Sequence, residues 1–152
     1  MRWQTCVALI SVTLVSAVSA DLSAQETRRY INPRSATDSD VPPFSGAVQV
    51  GNTLYLSGTI GLEDNQQVPS TAEAEARLVL NNIQSTLEAA GMTMDDLVVV
   101  QVFCSDVAHY DAFNAVYRTY FTREFPARAF IGAGTLLFDA RFEVQGIAVR
   151  RD

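Results

Sequence analysis

The chain has 152 residues, 48% hydrophobic and 18% charged, the make-up of one globular domain and not of a disordered segment. Its formal net charge is −6 and its 11 basic residues are all arginine. An acidic chain without lysine lacks the basic surface that sequence-independent nucleic-acid binding needs, and it excludes Schiff-base chemistry on a lysine amine.

The N-terminus begins with Arg2 and an apolar run from Val7 to about Val15, and reaches Val18-Ser19-Ala20, a small-residue cleavage pattern. Residues 1–20 are therefore expected to be a secretory signal peptide, cut after Ala20 or after Ala24. The run is shorter than the ~20 apolar residues of a membrane span. The expected product is exported, periplasmic or secreted, with no membrane attachment after cleavage. Cys104 is then the one cysteine left, so no internal disulfide forms, and its apolar surroundings predict a buried small hydrophobe.

Residues 21–40 are polar and aperiodic and read as a flexible lead-in to a domain over 41–152. Ala47–Val50 and Thr53–Gly58 are β-rich runs around Gly51-Asn52, a hairpin signal. Gly58 and Gly61 follow, where the backbone is expected to be open to a ligand. Ser70-x-x-Glu73 is a capping-box pattern. After it Ala76, Leu80, Ile83, Leu87 and Ala90 recur at helical spacing, and Gly91 closes the helix. Leu97 to Val107 is a β-branched strand that reads as covered on both faces. A second helix is expected from His109 to Arg123, with Phe113, Val116, Tyr117, Tyr120 and Phe121 as its buried stripe. Phe125 to Val149 then reads as two strands in a hairpin about Leu137-Phe138. The order β-β-α-β-α-β-β predicts an α/β (α+β) fold: a two-layer sandwich, a mixed β-sheet with two helices on one face. The other face of the sheet is left apolar and uncovered, which predicts self-association.

No metal-ligand spacing is present, and the single histidine, His109, is expected to be exposed or to cap the second helix. Gly132-Ala133-Gly134 lacks a phosphate-loop spacing and reads as a bulge or close approach. Two residues carry the chemical interest. Arg128 heads an apolar strand, where a guanidinium must be paired, either with Glu124 or Asp139 or with an anionic small molecule that matches its planar set of donors. Glu143 stands in an apolar run, suited to general acid/base work on a water, or else ion-paired with Arg128 or Arg141. In the expected hairpin Arg128 faces Ile147, four residues or roughly 13 Å from Glu143. A site shared between subunits, a substrate spanning the gap, or a bulge near Gly132 or Gly134 would resolve that separation.

The segments PFSGAV, LYLSGTIGL, NNIQSTLEAAGMTMDDLVVVQVFCSDV, FNAVYRTYF, FPARAF and FEVQGIAV, in this order, resemble the reactive intermediate deaminase A (RidA/YjgF) family from about Pro43 to Val149. The resemblance implies a chorismate-mutase-like fold in a homotrimer with clefts between subunits, and cofactor-free hydrolysis of enamines and imines such as 2-aminoacrylate and 2-iminobutanoate to 2-keto acids and ammonia. It implies that Arg128 binds the substrate carboxylate and Glu143 positions the attacking water, with Ser57, Gly58, Asn114 and the residue at Phe44 around the substrate. The chain departs from the family at Phe44 (often tyrosine), Gln145 (a second glutamate), Phe130 (often cysteine) and Leu137 (proline). The competing readings are a non-catalytic trimeric module that binds small carboxylates and, more weakly, an endoribonuclease, which the acidic, lysine-free composition opposes.

Overall fold

The computed structural model of the protein describes residues 27–32 and 42–151. The expected signal peptide lies outside them. Among these residues are six strands and two helices: β1 (Arg28–Ile31), β2 (Ala47–Val50), β3 (Thr53–Ile60), α1 (Ala72–Ala89), β4 (Leu97–Cys104), α2 (Tyr110–Tyr117), β5 (Ala127–Gly132) and β6 (Phe142–Val149). β1 corrects the sequence expectation, because it falls inside the presumed flexible lead-in. Its four residues pair antiparallel with β2, from Arg28 opposite Val50 to Ile31 opposite Ala47. A short strand with one buried apolar residue gives almost no periodic signal.

The sheet order is β1-β2-β3-β6-β4-β5. This overturns the expected β5–β6 hairpin. β5 pairs parallel with β4, while β6 lies between β3 and β4, antiparallel to both. The physical reason is the character of each strand. β6 can bury one whole side, with Phe142, Val144, Gly146 and Ala148 all buried, and it gains a ladder on each edge from the central position. β5 is short, follows Pro126 and carries an arginine, all features of an edge strand. Residues 133–141, with Phe138 and Asp139 at positive φ, carry the chain over β4.

Both helices lie on one face, as expected. Thr71, not Ser70, caps α1: its hydroxyl accepts the Ala74 N–H at 3.1 Å. At the other end the Gly91 N–H bonds Glu88 O and the Met92 N–H bonds Leu87 O, with Gly91 at φ 70°, the left-handed stop that glycine allows. Ala76, Leu80, Ile83, Leu87 and Ala90 are all buried. α2 is shorter than expected and is flanked by 3-10 turns at Val107–His109 and Arg118–Tyr120. Phe113, Val116 and Tyr117 are buried, with Tyr120 and Phe121 packed partly against the core. Leu54, Leu80, Leu87, Phe113 and Phe142 are almost wholly enclosed, each contributing about 1.5–3 kcal/mol of burial. Cys104 is buried as expected, and that burial pushes its thiol pKa up.

The opposite face of the sheet is open. Strand register places Tyr55, Ile147, Val99 and Ala127 in one row across it, then Gln145, Gln101 and Ala129, then Ile60, Glu143, Phe103 and Ile131. Tyr55, Val99 and Ile131 are exposed, and the Gln145 side-chain amide donates to Gln101 Oε1 at 2.5 Å. No helix among the described residues is long and apolar enough to cross a membrane.

Candidate active site

The residues singled out from the sequence fall into two groups. The first is built on α2 and β5. Arg128 stands opposite Val100 of β4, a buried residue of the helix-facing side, so its side chain points toward α2. There its Nη2 donates to Asn114 Oδ1 at 2.7 Å, and its guanidinium carbon lies 4.6 Å from the centre of the Tyr117 ring. The rings of Tyr110, Phe130 and Phe113 lie within 5.8–6.0 Å of the same carbon. Cation–π contact and one hydrogen bond therefore orient the cation without neutralising it. Among the described residues Arg128 makes no ion pair: the two found are Arg141–Glu75 and Arg151–Asp96. The expected alternatives Glu124 and Asp139 are not its partners. A guanidinium with one of its five donors satisfied by a neutral amide can still receive a carboxylate.

The second group is built on β3 and β6. Glu143 stands opposite Ile60 on one side and Phe103 on the other, in the apolar row of the open face. It pairs with neither Arg128 nor Arg141. The β3–β6 register shifts between Leu56 and Thr59, and Gly58 lies in that irregularity. A methyl group on Gly58 would overlap the Glu143 carboxylate. Gly58 therefore makes a recess for this side chain. Gly61, also expected to be open, instead lies against α1, where a Cβ would come 2.6 Å from Glu75 O. Ser57 is hydrogen-bonded to the segment before β2: its hydroxyl donates to Ser45 O at 2.6 Å and its N–H to Gly46 O at 3.0 Å. That holds Phe44, 61% exposed, beside the same end of β3.

The two groups do not meet within one chain. His109 belongs to neither; it occupies the N-cap position of α2 without a side-chain capping bond and packs edge-on to Phe142, with ring centres 6.1 Å apart. Among the described residues no cluster of three or more His, Cys, Asp or Glu side chains is arranged to hold a metal ion.

Sequence reasoning placed Tyr117 in the core but missed its contact with Arg128. The signal was its spacing, three residues after Asn114 on the same helix face. Tyr117 is 3% exposed and its hydroxyl has no partner among the described residues. Burial pushes its pKa up to about 12, against the pull of Arg128. Phe130 lies in a T-shaped contact with Tyr110, ring centres 5.0 Å apart, and both rings flank the guanidinium.

The mixed six-stranded sheet with paired helices on one side, carrying these two groups, defines the class. Residues 36–150 match the family model described as "Endoribonuclease L-PSP", and the chain belongs to that family, the RidA/YjgF family. The 2-iminobutanoate/2-iminopropanoate deaminase of Dermatophagoides farinae is 39% identical over 111 residues, 72% of this chain and 87% of the relative. The crystal structure of the YjgF gene product of E. coli superposes with a TM-score of 0.69 at 35% identity, covering 73% of this chain and 91% of that one. E. coli TdcF with bound serine superposes with a TM-score of 0.72 at 26% identity, covering 81% and 100%.

Proposed function

We propose that the protein hydrolyses 2-imino acids and their enamine tautomers to 2-keto acids and ammonia, in clefts between the subunits of a homotrimer. The observation that carries the reading is the unneutralised Arg128, stacked on Tyr117 and oriented by Asn114, in a chain related to proteins named imine deaminases. That a solved relative holds serine supports a ligand with the carboxylate of a small amino acid.

Arg128 holds the substrate carboxylate, which fixes the adjacent C=N carbon; orienting a substrate in this way lowers the barrier by several kcal/mol. Glu143 of a neighbouring subunit takes a proton from water as the water oxygen bonds to that carbon and the C=N π electrons become the nitrogen lone pair. The nitrogen is protonated to give the carbinolamine and then again to its ammonium form; the C–N bond breaks, ammonia leaves, and the hydroxyl proton passes to Glu143 as C=O forms. An enamine first takes a proton on its β-carbon to become the imine. Glu143 carries the protons in both directions. The residues supply every step, so no cofactor enters the proposal.

The open face supports the assembly. It is apolar at Tyr55, Val99, Ile147 and Phe103, and packing it between copies removes it from water. Cleavage of RNA is not favoured, since a chain with net charge −6 and no lysine offers no phosphate-tracking surface. The N-terminal pattern supports export of the mature chain, which N-terminal sequencing of the secreted or periplasmic fraction tests. Coupling the protein to an amino-acid oxidase that generates imines tests the activity. Accelerated keto-acid release, absent in Arg128→Ala, is expected. An uncatalysed rate in wild type, with keto acids still raising its melting temperature, would make the protein a binding module instead.

A further inference from the structure

Helix α1 contributes no residue to either group, yet it holds the strand ends that carry Glu143. Glu75 is fully buried and lies on the apolar stripe of α1, one turn before Val79. Its Oε1 accepts the backbone N–H groups of Arg141 at 2.6 Å and Phe142 at 3.0 Å, and its Oε2 pairs with Arg141 Nη1 at 2.7 Å. All three bonds fall on the two residues immediately before Glu143. From the same helix Asn82 Nδ2 donates to Ile60 O at 3.1 Å, and Ile60 is the β3 residue opposite Glu143. Gly61 brings the end of β3 against the helix backbone, where a Cβ would lie 2.9 Å from Val79 N.

An apolar side chain would dock the helix without desolvating a charge, so burial of a carboxylate needs a reason beyond packing. The geometry points to Glu75 as a positioning residue for Glu143. It fixes the entry of β6 through two backbone N–H groups, and Asn82 fixes the facing strand, so that the Glu143 carboxylate is held in the recess at Gly58. This rests on the deaminase reading for its kinetic consequence, but not for its structural one.

The test compares assembled Glu75→Ala and Glu75→Gln by imine turnover, by calorimetric binding of a 2-keto acid and by crystallography. Glutamine keeps an oxygen for the two backbone N–H groups and loses the ion pair. Glu75→Ala is expected to lower kcat about 10- to 100-fold, as a misplacement of about 1 Å does, while keto-acid affinity at Arg128 stays unchanged. Glu75→Gln is expected to recover most of that kcat while still melting below wild type. Wild-type kcat in the alanine variant, or equal losses in both, overturns the proposal. Should Glu75→Ala not fold, Asn82→Ala replaces it: lowered kcat at unchanged affinity supports the proposal and unchanged kcat overturns it. If the wild type turns over no imine, the deaminase reading fails on its own. The crystal structure then decides, with Glu143 displaced from Gly58 in the variant supporting the proposal and Glu143 in place overturning it.

Discussion

Arg128 and Glu143 point to opposite sides of the same sheet. Arg128 is aligned with Val100 of β4 and Glu143 with Phe103, an odd number of residues apart on a strand whose side chains alternate. One chain therefore presents the cation toward its helices and the carboxylate toward its open face.

Mixed assemblies test this division. Arg128→Ala and Glu143→Gln are each expected to be inactive alone. Unfolded together in equal amounts and refolded, they are expected to give about a quarter of the wild-type sites, the fraction that pairs an intact arginine with an intact glutamate across a cyclic interface. Activity that stays at zero after mixing, with mixed trimers confirmed by mass spectrometry, would place both groups in one subunit.

Gly58→Ala is expected to lower kcat by about 100-fold through displacement of the Glu143 carboxylate. Its effect on the melting temperature should be small, because Gly58 is not at positive φ and alanine is compatible with a strand there. Steady-state kinetics beside a thermal melt checks both parts.

Arg128→Lys keeps the charge but loses the planar donors and much of the stacking on Tyr117. Loss of charge-assisted hydrogen bonds, at about 1.5–3 kcal/mol each, is expected to raise the keto-acid dissociation constant about 10- to 100-fold. Isothermal calorimetry with a 2-keto acid reads it directly, independent of turnover.

Tyr117→Phe is expected to be neutral to stabilising at pH 7, by up to about 1 kcal/mol, because it removes a buried hydroxyl without a partner and keeps the ring under Arg128. The pH dependence has a definite sign. Raised from 10.0 to about 12 in the folded protein, the phenol keeps its proton longer when folded. Stability does not vary with this group below pH 10 and falls as pH rises from about 10 to about 12, where the unfolded chain gives up the proton first. Denaturant midpoints across that range should fall more in wild type than in Tyr117→Phe.

Much of this arrangement was legible in the sequence. The helix stripes of Ala76 to Ala90 and of Phe113 to Tyr117 follow from spacing alone. Arg128 and Glu143 stood out because a charge in an apolar strand requires an explanation. What spacing could not give was partnership between distant strands. Adjacent β5 and β6 suggested a hairpin, but the choice was made by β6, which could bury a whole side and took the centre. Glu75 was hidden for a related reason: it reads as an ordinary polar residue near a helix start, and only its place one turn before Val79 on the apolar stripe marks it. Phe44 and Ser57 were carried by resemblance alone and Gly58 also by its open backbone, and the structure brings Gly58 to Glu143 and Ser57 to the segment beside Phe44.

The edge strand β1 also sets a limit on how far the N-terminus could be trimmed. Its ladder to β2 starts at Arg28, and Arg29 Nη2 donates to the terminal carbonyl of Ala89 on α1. The proposed cut after Ala20 or Ala24 would leave both arginines in place. A protease that trims beyond them would strip the margin of the sheet, bare the β2 backbone to other chains and turn a processing error into a seed for aggregation.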